Sequence, residues 1–472
     1  MTSGDDASDL VRAVTCPACG HHVAVPFLDG EPAPLATLAW PATAEEAQAL
    51  ARLPLEFVRC VECGHVFNAA FDYAAVPYAD RPNRMFNRAP GWGEHLRAVR
   101  DEMLAMLPAA PLVVEIGHGD GHFLEALAGD RPAGRYVGFD PHGAARAGHP
   151  GVEYRRSLFV PARDVAALRP DLIVSRHVME HLTNPLGFIQ QLAFAAAWAG
   201  VEATLYLEVP CIDRALETGR TFDFYYEHNS HFTTASFTRM LSRCGVARLW
   251  IGHGYGGEVV SAFVRLAPDA AQAAHARAAL AFRDEARRSD ARLRAQIDAL
   301  AASGRSIAVW GGTGKAAAFI ARAGVDAARF PIVVDSDTDK VGTFVPGTGQ
   351  EIRSPSWLLD HPVDVVIVPA HWRARDIVRE MAAGGLADPT VLIEHRGSLV
   401  DYFTAPHPYR DDVATPTPER SATRTRATRT GAHHAPPTVD GEVTSVVERQ
   451  AGPMVEAGTA RTTERDAWAA RA

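Results

Sequence analysis

The stretch PLVVEIGHGDG, residues 111–121, decides the fold. An apolar run gives way at Gly117 to a turn with glycine at every second position, and HFLEALAG after it opens a helix. Strand, glycine turn and helix are the first half of a βαβ unit. Gly117, Gly119 and Gly121 stand where the backbone must approach a ligand closely. Their spacing is G-x-G-x-G, not the G-x-G-x-x-G that cradles a dinucleotide pyrophosphate. S-adenosylmethionine (SAM) has no phosphate; its carboxylate and ammonium need backbone amides and an acid, and Glu115 is at hand. The next apolar run, RYVGFD, ends on Asp140, at the distance where an acid accepts both ribose hydroxyls. Together these residues predict SAM rather than NAD; a turn that served packing alone would leave Asp140 unexplained.

Outward from that turn, DLIVS (171–175) and TLYLEV (204–209) continue a parallel α/β pattern, and ARLWIGHG with VVSAFVRL closes it as an antiparallel hairpin ending near Leu266. His177, Glu180 and His181 follow the strand DLIVS, at the carboxyl edge where open α/β folds bind ligands. His177 and Glu180 are read as cofactor contacts; for Glu180 and His181 a helix-start carboxylate and a packed imidazole are the alternative. Tyr225-Tyr226-Glu227-His228 lies just beyond TLYLEVP. Aromatic, acid and imidazole so close together suit proton abstraction, with His228 as base and Glu227 to orient it. A packed aromatic loop is the alternative.

On the N-terminal side, Cys16-x-x-Cys19 and Cys60-x-x-Cys63, each followed by Gly, form two knuckles able to present four thiolates to one zinc ion. Four thiolates leave no open coordination position, so the zinc is expected to be structural. His21, His22 and His65 are neighbouring substitutes. On the C-terminal side, residues 270–303 hold no Gly or Pro and predict a long helix. A second α/β pattern then begins with SIAVWGGTGKAA, whose glycines match G-x-G-x-x-A, with Asp335 ending a later strand. The expected organisation is α/β throughout: a zinc-binding module over 1–85, a class I SAM-methyltransferase core over 86–268, a connecting helix over 269–303, a Rossmann-like domain over 304–408 and an unstructured tail over 409–472.

The 47 basic and 56 acidic residues give a net charge of −9 without blocks of one sign, which argues against a nucleic-acid-wrapping protein. The start MTSGDDASDL lacks a basic or apolar leader, and no apolar run reaches membrane length, so a cytoplasmic location without membrane partners is expected. In that compartment six cysteines should stay reduced. A small-molecule substrate and a monomer or homodimer complete the expectation.

The order CPACG, CVECG, EIGHGDGHF, DLIVSRHVMEHL, LYLEVP, YYEHNSHFT, GGTGK and VVDSDTDKVGTFVPGTGQEI, from about Cys16 to Tyr402, resembles the three-domain deoxysugar C-methyltransferases of antibiotic biosynthesis. The resemblance implies active-site roles for Tyr225, Glu227 and His228. It also implies a tyrosine from the zinc module, best matched by Tyr78 with Tyr73 as the other choice. It implies a TDP-linked keto sugar bound between the central and C-terminal domains, and methyl transfer to a carbon next to its ketone. The chain departs from that pattern at Tyr226, at Gly311-Gly312-Thr313-Gly314-Lys315, at Tyr255-Gly256-Gly257-Glu258 and at Ala370-His371-Trp372-Arg373. These are places where a substrate would be read. O- or N-methylation of another metabolite, or a scaffold with a degenerate core, are the competing functions.

Overall fold

The computed structural model describes residues 10–37, 40–77, 89–144, 149–266, 270–386, 388–410 and 447–449. The chain divides into two units, one of residues 1–274 with 437–472 and one of residues 275–436.

In the first unit, β1 (Ala24–Ala33), β2 (Leu53–Cys60) and β3 (Val66–Asn68) form an antiparallel sheet. A second sheet is built on five parallel strands: β4 (Leu112–Ile116), β5 (Arg135–Phe139), β6 (Val152–Arg155), β7 (Leu172–Arg176) and β8 (Thr204–Pro210). The chain next returns to the first sheet, where β9 (Ser230–His231) pairs with β3, Val66 opposite His231 and Phe67 opposite Ser230. The hairpin β10 (Val246–Gly254) and β11 (Val259–Leu266) then closes the second sheet. The order is β6-β5-β4-β7-β8-β11-β10, with the strand direction of progression reversing beside β4. That reversal opens a crevice at the carboxyl ends of β4 and β7.

Val113, Val114, Ile173 and Val174 are enclosed on both faces, as the near-continuous apolar runs of a parallel sheet require. Glu115, Ser175 and Glu208 interrupt those runs and are also buried. Pro90, Pro161 and Pro185 each open a helix, where a missing N–H costs nothing, and Asn184 caps the last of these through the Gly187 N–H at 2.8 Å. The cysteine module is not a separate body. Cys16, Cys19, Cys60 and Cys63 belong to the same apolar cluster as Leu186, Phe232 and the central strands, and the Leu186 N–H donates to the Pro17 carbonyl at 3.2 Å.

In the second unit, β12 (Ile307–Trp310), β13 (Ile332–Val334), β14 (Ile352–Arg353), β15 (Val365–Val368) and β16 (Thr390–His395) run parallel, and β17 (Ser398–Asp401) turns back on β16. The expected long helix spans Ala270–Ala302 and does more than connect. Leu293, Ile297 and Leu300 recur at helical spacing and pack with Ile307, Val309 and Ile320 in the core of this unit. The expected tail lies outside the described residues except at β18 (Val447–Arg449). Those three residues pair in parallel with β10, at the edge of the second sheet.

Candidate active site

The two knuckles are built alike. The Cys16 N–H donates to the His21 carbonyl and the Gly20 N–H to the Cys16 carbonyl, while Cys60, His65 and Gly64 repeat the pattern. Gly20 and Gly64 sit at φ near +74° and +73°, a backbone that side-chain-bearing residues avoid. The sulfurs of Cys16 and Cys63 lie 3.7 Å apart and those of Cys19 and Cys60 3.6 Å. A tetrahedral ion with metal–sulfur bonds of about 2.3 Å sets edges of about 3.8 Å, so the four thiols fit a closed metal site. Burial pushes the Cys19 thiol up to about 12, and a bound dication would reverse that. His22 Nδ1 is 3.0 Å from the Thr15 hydroxyl, and His65 is buried 4.6 Å from the Phe232 ring, its pKa lowered to about 3 by burial and by His231.

A cleft of about 680 Å³ opens at the carboxyl ends of β4, β5, β7 and β8, within the roughly 300–1,000 Å³ usual for small-ligand sites. Glu115, Gly117, Gly119, Asp140, His177, Glu180, Tyr225 and His228 all line it. Gly121 caps the helix His122–Asp130 just behind, at φ +85°. Gly117 and Gly119 are glycines for different reasons. A Cβ on Gly117 would stand 2.3 Å from Val178 Cγ2, whereas one on Gly119 meets nothing within 4 Å, because that residue faces open cleft. Asp140 Oδ2 accepts the Gly119 N–H at 3.0 Å and its Oδ1 the His142 N–H at 2.8 Å, so the acid and the turn form one rigid ledge. Burial raises Glu115 to about 8, against the pull of Arg176, and its Oε2 has no protein partner. A ledge with an open glycine and an unsatisfied buried acid fits the amino-acid end of SAM.

At the other end of the cleft, the Tyr225 hydroxyl and His228 Nε2 are 3.0 Å apart. Burial, reinforced by Glu180, Glu227 and Asp223, raises the Tyr225 phenol and keeps it protonated. Burial and the nearby His181, His231 and His177 hold His228 well below an ordinary histidine, so its ring is neutral. Glu227, expected to orient His228, is held from the other side. Its Oε1 accepts the Thr37 N–H at 2.6 Å and the Thr37 hydroxyl at 3.2 Å, because the segment is pinned to the cysteine module. Tyr226, Asn229 and β9 are stitched to the same module or its neighbours: the Asp72 N–H donates to the Tyr226 hydroxyl at 2.8 Å and the Asn68 N–H to the Asn229 carbonyl at 3.1 Å. Tyr78 lies outside the described residues; Tyr73 lines the cleft.

Sequence reasoning missed Leu158 and Phe159, which wall the cleft beside Asp140, and Trp92 from the helix Pro90–Met106. It also passed over Glu208, whose buried carboxylate gathers Arg176, His177, His95 and Tyr206. An acid inside the apolar run TLYLEVP was the available signal. In the second unit, Gly312 N–H donates to Asp335 Oδ2 at 3.2 Å, and Lys340 Nζ lies 3.4 Å from the same oxygen.

Residues 87–247 match the methyltransferase domain family and residues 257–388 the C-methyltransferase C-terminal domain family. The C-methyltransferase NovU of Streptomyces niveus is 24% identical over 411 residues, which are 78% of this chain and 93% of that one. Among solved structures, a SAM-dependent methyltransferase from Aquifex aeolicus aligns at a TM-score of 0.30 and 16% identity, over 42% of this chain and all of that one. A methyltransferase described as putative, from Bacillus halodurans, aligns at 0.26 and 20%, over 33% and 71%. No helix among the described residues is long and apolar enough to cross a membrane.

Proposed function

We propose that this SAM-dependent methyltransferase, a chain of the C-methyltransferase family, methylates a carbon next to the ketone of a nucleotide-linked keto-deoxysugar of TDP type. The observation that carries the reading is the Tyr225–His228 pair at 3.0 Å inside the cofactor cleft. Without substrate the two groups satisfy each other. A ketone oxygen beside Tyr225 draws the phenol O–H away from His228 Nε2 and leaves that nitrogen free to take the proton from the adjacent carbon. Tyr225 then donates to the enolate oxygen, while Glu227, tied to Thr37, fixes the segment that carries both. Tyr73 or Tyr78 supplies a further hydroxyl from the cysteine module.

Glu115, Gly117, Gly119, Gly121, Asp140, His177 and Glu180 hold SAM. When bound, SAM supplies the methyl group that the enolate carbon receives. Cys16, Cys19, Cys60 and Cys63 hold a structural Zn²⁺, and residues 1–85, 86–268, 269–303 and 304–408 serve as zinc module, catalytic core, linking helix and substrate-binding domain. A positioned base contributes about 10²–10⁴-fold in rate.

The test is exchange of the α-proton of a TDP-keto-deoxysugar in deuterated buffer with SAM absent. Exchange is expected in the native protein and should fall about 10²–10⁴-fold in His228→Gln. Methylation without any exchange would move the acceptor from carbon to a heteroatom.

A further inference from the structure

Glu208 lies near the end of β8, fully buried, and grips His177 twice: the His177 N–H donates to the Glu208 carbonyl at 2.9 Å, and His177 Nε2 lies 3.1 Å from Oε1. His177 needs that grip, because its φ of +52° is a left-handed backbone that costs a non-glycine residue about 1–2 kcal/mol. Arg176 Nε and Nη2 stand 3.0 Å from Oε1, and Oε2 takes His95 Nε2 at 2.9 Å and the Tyr206 hydroxyl at 2.7 Å. One ring atom of His177, Nδ1, is left over. It lies 3.4 Å from Glu180 Oε1, close enough for attraction yet not aligned as a hydrogen bond. Glu180 is itself 1% exposed, lines the cleft, and neither carboxylate oxygen has a hydrogen-bond partner. A buried carboxylate left so is costly unless a ligand supplies donors.

We infer that Glu208 is a positioning residue for methyl transfer: through His177 it aims the Glu180 carboxylate into the cleft, ready for donor groups of the bound cofactor. The inference rests on the reading that Glu180 contacts the cofactor. Its physical basis is charge relay by placement. Burial works against a charged His177, yet Glu180 and Glu208 outweigh it and raise its pKa, while Arg176, His177 and His95 hold Glu208 well below an ordinary carboxylate despite its burial. The charged or titratable groups around the His177 ring are Glu208 from β8, Arg176 from β7, Glu180 and His181 from the turn that follows, His95 from the helix Pro90–Met106, and His228. An ionised Glu208 favours the protonated form of the His177 ring, which attracts Glu180 into one orientation.

The test compares S-adenosylhomocysteine affinity by calorimetry, at pH 8 and pH 6, in the full-length zinc-loaded protein and its variants. In Glu208→Gln, the dissociation constant relative to native protein should rise at least tenfold at pH 8 and by a smaller factor at pH 6, where the lower pH favours protonation of His177. Glu208→Asp, which keeps the charge, should show no such pH dependence. His177→Gln should stay weakened at both pH values. An equal deficit at both pH values in Glu208→Gln, or none, overturns the inference. If that variant does not fold, native affinity in His177→Gln overturns it instead. Glu180→Gln separates the two levels: native affinity there removes the cofactor role of Glu180, whereas a loss there beside native-like Glu208→Gln removes only the positioning role.

Discussion

The two units contain the same turn put to different use. In the first, Gly117 N–H donates to the Phe139 carbonyl at 2.7 Å and Asp140 N–H to Arg155 at 3.1 Å; in the second, Gly311 and Asp335 make the matching bonds to Val334 and Arg353 at 2.7 and 3.0 Å. Each acid also accepts an N–H from its glycine turn, Gly119 at 3.0 Å and Gly312 at 3.2 Å. The backbone rule is therefore shared, and the side chains decide. Two residues before the first glycine stands Glu115 in one unit and Val309 in the other, both buried. Lys340 neutralises Asp335, and Lys315 rests 3.9 Å above the Trp372 ring. In the first unit the strand carries an unsatisfied acid and the open glycine lines a cleft, the pair that supports the proposed cofactor role of that turn.

The largest expected effect separates the units by metal. Stripping the proposed zinc with a strong chelator should remove on the order of 10 kcal/mol of folding energy from the cysteine module. Because that module holds Glu227, Tyr226 and β9, methyl transfer should vanish, while the unfolding transition of the second unit, followed by hydrogen exchange at β12 and β15, should stay where it was. Exchange rates that change equally in both units would break the comparison.

Next comes the acid that only one turn possesses. Glu115 has a folded pKa of about 8 against an ordinary value near 4.5, so between those values the folded state holds a proton that the unfolded state has released. Stability of the cofactor-free protein should then fall as pH rises through that window, by up to about 1.4 kcal/mol per unit, and level off above it. Glu115→Gln should remove the slope and leave the variant more stable than the native protein at pH 8. Urea unfolding of unit 1 at several pH values measures this; an unchanged slope in the variant would assign it to another group.

The smallest expected effect compares the two aspartates. Asp140→Ala should weaken S-adenosylhomocysteine by about 10–100-fold, the worth of one or two hydrogen bonds to a charged group. Asp335→Ala should leave that affinity unchanged while costing the second unit about 1–2 kcal/mol through the lost bonds to Gly312 and Asp337. Equal loss of affinity in both variants would mean that the second turn also serves the cofactor.

Much of this was legible because it is local. A glycine turn after an apolar run, an acid closing the next strand, and paired Cys-x-x-Cys knuckles each depend on neighbours within a few residues, and each was read at its own position. The direction of Glu227 was not legible, since it depends on Thr37, a residue 190 positions away. His95 meets Glu208 across 113 residues, and β9 completes a sheet begun at Ala24. Periodicity carries no trace of such pairings, because a single polar residue in an apolar run looks the same whether it is partnered or misplaced.

By itself, then, the amino-acid sequence determined the α/β architecture, the glycine turn with its strand-end acid and the four-cysteine cluster. All three follow from backbone preferences and from side chains a few residues apart. Only the tertiary structure decided that Thr37 of the cysteine module pins the segment carrying Tyr225 and His228, that the Tyr225 hydroxyl meets His228, and that Glu208 holds His177. Those outcomes are set by which buried charges and hydrogen-bonding groups can satisfy one another once distant strands are brought together, and burial makes each unsatisfied choice too costly to keep.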